Sequence, residues 1–208
     1  MNSGTLLSFL ALDLLLVCVP GADWAYVIAN GVRGRSVGRA VAGLVAGYAL
    51  HTTLAVAGLA VLVASSPALL SALTVTGAGY LVWLGWSVLR RPAVPEADAQ
   101  GAQDTQAPSG GLFLRGATIS GLNPKGLLLY LSVLPQFLVT RGAHPPVAVQ
   151  TAVLGLLHMA CCAAVYLTVG LLSRALLAAR PRAARAVTRT SGAAMLGIGA
   201  LLLAQHTL

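Results

Sequence analysis

Long apolar runs separated by short basic or polar segments dominate the chain. No formally charged residue occurs in 40–89, 142–173 or 190–208. A bilayer-spanning helix needs roughly 20 apolar residues, so the first of these runs holds two spans that turn near Ser65-Ser66-Pro67. The pattern predicts an all-α membrane protein. We expect six transmembrane helices, over residues 5–29, 41–64, 67–89, 116–140, 146–173 and 187–206.

The composition supports a membrane protein and excludes several other classes. Only 9% of the residues are charged and 57% are hydrophobic, whereas an average soluble domain carries about 25% charged residues. A water-soluble globule, a secreted disulfide scaffold and a disordered chain are therefore excluded. The first eight residues contain no Lys or Arg, so the first apolar run is interpreted as a retained span and not as a signal peptide.

The basic residues predict the orientation of the chain in the membrane. Short cytoplasmic loops are enriched in Lys and Arg, and eleven of the 13 basic residues follow the first, third or fifth predicted span. Arg141 lies alone on the opposite side, and Lys125 lies inside a span. Both termini are therefore predicted to be non-cytoplasmic. Because the positive charges cluster between spans, they indicate membrane topology and no nucleic-acid partner.

A polar segment divides the predicted spans into two halves. Residues 92–110, rich in Pro, Ala and Gln, have no apolar period and are interpreted as a solvated linker. The halves, 1–91 and 111–208, contain three spans each. Because three is odd, the second half would cross the membrane in the opposite sense to the first. This layout is typical of transporters built from two inverted repeats.

The first helix of each half contains a helix-breaking motif. These motifs are Pro20-Gly21-Ala22-Asp23 and Asn123-Pro124-Lys125-Gly126. Proline lacks a backbone donor and disrupts the preceding helical turn. At 1.5 Å per residue, both breaks fall about 15 Å from the cytoplasmic end, near the middle of a core about 30 Å thick. The backbone groups freed there must find partners or line water.

Ionisable residues are predicted at the same depth. His51 follows Pro20 by 31 residues and His158 follows Pro124 by 34, so they occupy matching places. Each either forms a hydrogen bond between helices or belongs to a shared polar centre. Lys125 must find a carboxylate, a carbonyl or a bound anion, because an unpaired charge there costs at least about 2.5 kcal/mol.

Asp23 is the acid predicted to lie nearest to Lys125. The two side chains form either a structural ion pair or part of a substrate or proton site. Asp13 is expected near the outer surface, where interfacial water would solvate it. Gly43 and Gly47, one helical turn apart, are interpreted as a surface for close helix packing.

These motifs resemble the LysE/RhtB-type family of amino-acid exporters. The resemblance covers about residues 5–140 and is carried by five segments in the family's order: Pro20 to Asp23; Gly43, Gly47 and His51; 79–85 (GYLVWLG); Gly121 to Lys125; and 134–137 (LPQF). The family usually has a second proline where this chain has Ala22. The resemblance implies proton-driven export of amino acids or related metabolites across the bacterial inner membrane.

The working hypothesis is a secondary transporter, not an enzyme, whose substrate site lies between the two broken helices. An amino acid and protons are the expected ligands, the lipid bilayer is the expected surrounding, and homo-oligomerisation stays open. No cofactor, metal site or catalytic residue is expected. Two alternatives are an inorganic cation or metal exporter, and an intramembrane hydrolase using Ser120 or Ser132. The predicted substrate and proton pathway comprises Pro20, Gly21, Asp23, His51, Asn123, Pro124, Lys125 and His158.

Overall fold

The computed structural model describes residues 3–65, 109–140 and 142–173, together with isolated positions between 68 and 90 and between 193 and 204. The residues it describes form helices, turns and bends, and no strand occurs among them. The all-helical fold predicted from the apolar runs is thus confirmed for this part of the chain. Most of the linker at 92–110, and most of the spans predicted at 67–89 and 187–206, lie outside the described residues.

Three helices form the described part of the N-terminal half. Helix α1 comprises Ser3–Val17, α2 comprises Ala22–Val32, and α3 comprises Val37–Ser65. The axes of α1 and α2 differ by 61°, because the motif at Pro20 interrupts what the hydropathy predicts as one span. Between α2 and α3, Gly34 adopts a positive φ of 68°, which glycine accommodates without a Cβ clash.

The described residues from 109 onward also contain a broken helix followed by a long one. Helix α4 comprises Ser109–Gly121 and α5 comprises Pro124–Leu128. The chain continues through a π-helical segment, Leu129–Val133, and a 3-10 segment, Leu134–Phe137, before α6, Val147–Leu171. The π and 3-10 geometry was not predicted. Pro135 explains it, because proline cannot donate to the carbonyl four residues earlier and its ring crowds that carbonyl.

Two described helices are long and apolar enough to cross a membrane. They are the Val37–Gly58 portion of α3 and the whole of α6, and the bent pair of α1 and α2 becomes a third span if it is counted as one. Large apolar side chains on α3 and α6, including Leu50, Leu54 and Leu156, are exposed on the outside of the helix bundle. That distribution suits a surrounding of lipid.

Glycines permit α3 and α4 to approach closely, as the sequence predicted for Gly43 and Gly47. A Cβ at Gly43 would collide with the carbonyl oxygen of Phe113, and one at Gly47 would collide with the Ser120 side chain. From the other helix, a Cβ at Gly116 would lie 2.7 Å from the carbonyl oxygen of Ala40. Helix α4 is therefore pressed against α3 just before its own break, which fixes the position of the second motif.

Candidate functional site

The break between α1 and α2 leaves carbonyl groups that side chains satisfy. After α1 ends at Val17, the Val17 carbonyl accepts a hydrogen bond from Trp24 Nε1 at 2.9 Å. The Val19 carbonyl accepts one from Lys125 Nζ at 3.0 Å. Because the helix is interrupted at Pro20, these carbonyls lack the usual intrahelical donors. The second partner comes from the other broken helix, so the two predicted breaks meet.

Asn123 organises the second break and joins it to the first. As the N-cap of α5, its Oδ1 accepts a hydrogen bond from the Lys125 backbone N–H at 3.0 Å. Its Nδ2 donates to Asp23 Oδ2 at 2.9 Å. Pro124 occupies the first helical position, where a missing N–H is tolerated. One buried amide therefore caps α5 and contacts the acid of the other motif.

Asp23 lies in the first turn of α2 and is 2% exposed. Its Oδ2 accepts three hydrogen bonds, from Tyr48 Oη at 2.8 Å, Asn123 Nδ2 at 2.9 Å and Tyr166 Oη at 3.1 Å. Its Oδ1 is buried and has no hydrogen-bond partner among the described residues. Several donors and a helix N-terminus both favour a carboxylate. The site thus contains an oriented acid with one oxygen unused.

Lys125 does not form the direct ion pair with Asp23 that was one of the sequence predictions. Its ammonium group donates to the Val19 carbonyl instead, which was another of the predicted partners. The physical reason is that the interruption of the helix at Pro20 frees the Val19 carbonyl, and the C-terminal end of α1 offers a negative dipole potential to an ammonium group. The acid and the base are therefore neighbours of Asn123 without neutralising each other.

His51 lies on α3 beside the second motif. Its Nε2 is 2.9 Å from the Gly121 carbonyl oxygen, next to the break, and its Nδ1 is buried without a partner. A Cβ at Gly126 would lie 3.3 Å from that Nδ1 and 2.8 Å from the Tyr48 ring. Only a glycine at 126 leaves this nitrogen unobstructed. The predicted hydrogen bond from this histidine to another helix is confirmed.

His158 contacts an acid that the sequence analysis placed elsewhere. Its Nδ1 is 2.7 Å from Asp13 Oδ1, and its Nε2 is 3.5 Å from Cys162 Sγ. The expectation that interfacial water solvates Asp13 is wrong, because the residue is only 1% exposed. A carboxylate in an apolar bundle needs a hydrogen-bonding partner, and His158 on α6 supplies it.

Tyrosines complete the centre, and they were not among the predicted site residues. Tyr48 packs edge-on against His158 with ring centroids 4.7 Å apart, while Tyr130 lies between the two histidines at 5.6 Å from each. Tyr130 Oη also pairs with Thr52 Oγ1 at 2.7 Å. Helical spacing was the available signal. Tyr48 precedes His51 by three residues and Tyr166 follows His158 by eight, which places each on its histidine's face.

The two serines considered as nucleophiles lie in packed parts of the structure. Ser120 Oγ donates to the Leu44 carbonyl at 2.6 Å, so its hydroxyl belongs to the contact between α3 and α4. Ser132 lies in the π-helical segment and is buried. In the part of the chain that the structure describes, no group of three or more His, Cys, Asp or Glu side chains could hold a metal ion.

The chain is similar to known membrane proteins along most of its length. It is 31% identical over 146 residues to the uncharacterized membrane protein YrhP of Bacillus subtilis, covering 66% of this chain and 70% of the relative. It is 34% identical over 143 residues to the leucine efflux protein of Salmonella choleraesuis, covering 68% of this chain and 66%, just under two thirds, of that protein. The leucine efflux protein of Klebsiella pneumoniae is 33% identical over 144 residues, with 68% and 67% covered.

No solved structure gives a significant match to the chain. The family model described as LysE type translocator matches residues 14–206, which includes both helix breaks and both membrane histidines. Together with the apolar helices, this match makes the chain a multi-pass protein of a bacterial membrane that handles a small-molecule substrate. The resemblance seen in the sequence is therefore confirmed, and the chain belongs to the LysE type translocator family, whose members are transporters and not enzymes.

Proposed function

We propose that this chain exports amino acids from the cytoplasm, with coupling to the proton gradient, and that the substrate binds where the two helix breaks meet. The observation that carries the proposal is the unused Asp23 Oδ1, buried and without a partner. An amino acid is a zwitterion, so its site needs an acceptor for the ammonium group and a donor for the carboxylate. Asp23 supplies the acceptor and Lys125 the donor.

The geometry favours a zwitterion because the acid and the base are held close but apart. Asn123 Nδ2 contacts Asp23, and Asn123 Oδ1 accepts from the Lys125 backbone. The Lys125 ammonium has three donors, and its contact with Val19 uses one of them. The remaining donors would bind the substrate carboxylate. Pro20, Gly21 and Pro124 would create this pocket by interrupting the two helices at one level.

Leucine is the first substrate to test, since two of the relatives are named leucine efflux proteins. The proposal concerns an aliphatic amino acid that carries no net charge. Asp23 and Lys125 would recognise the groups common to all amino acids, and the apolar side chains around them would select among substrates.

We propose that the mechanism uses six spans arranged as two inverted repeats, 1–91 and 111–208, with both termini outside the cytoplasm. Packing among the described helices supports this arrangement: α3 contacts α4, and α6 contacts α1 and α2. Each long helix therefore packs on the broken helix of the other half. The two histidines also contact the broken helix of the other half, since His51 contacts Gly121 of α4 and His158 contacts Asp13 of α1. Rocking of one half against the other would expose the site alternately.

The test is efflux of labelled leucine from preloaded cells that lack their own leucine exporter. Cells that express the wild-type chain are expected to export leucine, and an uncoupler should reduce that export strongly. Lys125→Ala and Asp23→Asn should each abolish export while the protein stays folded in the membrane. Thr168→Ala is the matched control, because Thr168 is exposed on α6 and bonds only within its helix. Normal efflux from folded Lys125→Ala would refute the site.

A further inference from the structure

A second buried acid lies near the proposed substrate site but does not contact it directly. Asp13 Oδ1 and His158 Nδ1 are 2.7 Å apart, and their side chains are almost fully inaccessible to solvent. In the part of the chain that the structure describes, Asp13 Oδ2 has no hydrogen-bond partner. The pair joins α1 of one half to α6 of the other. Buried ionisable side chains in membrane-spanning segments are costly and mark functional positions more often than structural ones.

The contacts of His158 define its two protonation states. Nδ1 contacts an oxygen of Asp13, which accepts a hydrogen bond. We therefore assign the N–H of the neutral imidazole to Nδ1. Nε2 is then the nitrogen that takes up or releases a proton, and Cys162 Sγ at 3.5 Å lies next to it. With the proton bound, the pair is an imidazolium and a carboxylate and is neutral overall. Without it, the pair carries the single negative charge of Asp13.

Tyr48 connects this pair to Asp23. Its ring packs edge-on against the His158 ring at 4.7 Å, and its hydroxyl donates to Asp23 Oδ2 at 2.8 Å. One tyrosine side chain therefore separates an imidazolium at His158 from an ammonium group bound at Asp23. Protonation of His158 removes the net negative charge of the pair, which in a medium of low dielectric constant would otherwise attract that ammonium group. Proton binding at one site and substrate binding at the other would oppose each other.

Other titratable groups surround the pair on the described helices, and none of them repeats its geometry. They are Cys18 on α1, Tyr48 and His51 on α3, Lys125 on α5, Tyr130 in the π-helical segment, and Cys161 and Cys162 on α6. Among these groups, His51 faces a backbone carbonyl and not a carboxylate. Within residues 3–65, 109–140 and 142–173, Asp13 and His158 are the pair in which an imidazole contacts an acid.

We propose that the Asp13–His158 pair carries the coupling proton, while Asp23 and Lys125 hold the substrate. This inference rests on the proposed export function. In each cycle, His158 Nε2 binds one proton when the site faces the outside, and the imidazolium weakens substrate ammonium binding at Asp23. When the site faces the cytoplasm, substrate binding displaces that proton from Nε2 into the cytoplasm. One proton would enter as one amino acid leaves.

The experiment separates coupled transport from substrate exchange in proteoliposomes containing the full chain. Labelled leucine is the probe. We compare the wild type with His158→Gln and Asp13→Asn, and use Thr168→Ala as the control on the same helix as His158. One assay measures leucine accumulation driven by an imposed pH gradient. The other measures exchange of labelled for unlabelled leucine without a gradient, which also reports that each variant is folded and binds substrate.

The wild type and Thr168→Ala should perform both reactions. His158→Gln and Asp13→Asn should lose at least tenfold in gradient-driven accumulation and keep exchange within a few-fold of the wild type. Gradient-driven accumulation that persists in folded His158→Gln would overturn this inference alone. Loss of exchange in both variants would also overturn it, because the pair would then serve the fold or the substrate. If the wild type transports no leucine in either assay, the proposed function fails, and this inference fails with it.

Discussion

Replacement of Asn123 tests how much this side chain contributes to holding the two breaks together. Asn123→Ala removes two hydrogen bonds: the cap to the Lys125 backbone N–H and the donor to Asp23 Oδ2. Loss of an N-cap costs about 0.5–2 kcal/mol. Loss of a hydrogen bond to a charged group costs about 1.5–3 kcal/mol. We therefore expect Asn123→Ala to reduce the free energy of unfolding by about 2–5 kcal/mol.

Two further substitutions separate these contributions. Asn123→Ser keeps an oxygen that can cap α5 but is too short to reach Asp23, so it should lose only about 1.5–3 kcal/mol. Asn123→Asp keeps the cap and places a second carboxylate beside Asp23. At neutral pH it should be less stable than the alanine variant, because like charges repel. At low pH, protonation of the new carboxyl restores a donor toward Asp23, so its stability should approach that of the wild type.

The assay is thermal unfolding of the purified chain in detergent, followed by loss of the monodisperse peak in size-exclusion chromatography. For a chain of this length, 1 kcal/mol shifts the Tm by about 2–4 °C. Asn123→Ala should therefore lower it by about 4–20 °C, and Asn123→Ser by less. A Tm for Asn123→Ala within 1–2 °C of the wild type would refute the assigned role. A pH-independent Tm difference between Asn123→Asp and the wild type would contradict the contact with Asp23.

Two further substitutions test the packing around the site. Gly43→Leu should destabilise the fold by about 1–3 kcal/mol or more, because a Cβ there meets the Phe113 backbone. The control is Gly38→Ala on the same helix, where a Cβ meets open space. It should be neutral or slightly stabilising. Gln150→Leu should cost about 2–4 kcal/mol, because the Gln150 side chain makes three hydrogen bonds, two to the Val139 backbone and one to the Pro145 carbonyl. Thermal unfolding measures both effects, and unchanged stability of either large substitution would contradict the packing described.

Hydropathy was sufficient to predict the helices because the distance across a membrane limits their length. The spans predicted at 41–64 and 146–173 correspond to α3, Val37–Ser65, and α6, Val147–Leu171. The breaks were also predictable, since proline and glycine act on the local backbone in any surrounding. In contrast, α4 begins at Ser109, seven residues before the predicted start of the fourth span, because a helix can extend past the apolar run.

The partners of the polar side chains could not be predicted, because they depend on the rotation of each helix about its axis. Depth alone suggested that Asp13 is near a surface, whereas its contact with His158 depends on which face of α1 meets α6. Depth also suggested that Asp23 and Lys125 would pair. The structure instead directs Lys125 to a carbonyl that the break at Pro20 leaves free. A sequence shows where such a carbonyl exists but not which side chain reaches it.

The asymmetry of the two motifs leads to a last prediction. Asp23 and Lys125 each occupy the second residue of the helix that follows a break. A carboxylate is favoured at the N-terminus of α2, and an ammonium group is favoured near the C-terminal end of α1. Exchanging the charges in the double variant Asp23→Lys, Lys125→Asp would reverse both interactions and leave the hydroxyls of Tyr48 and Tyr166 facing an ammonium group. A simple ion pair would tolerate the exchange. Here we expect the double variant to have a lower Tm than either single alanine variant. A double variant as stable as the wild type would show that mutual attraction, not the helix ends, holds the two charges.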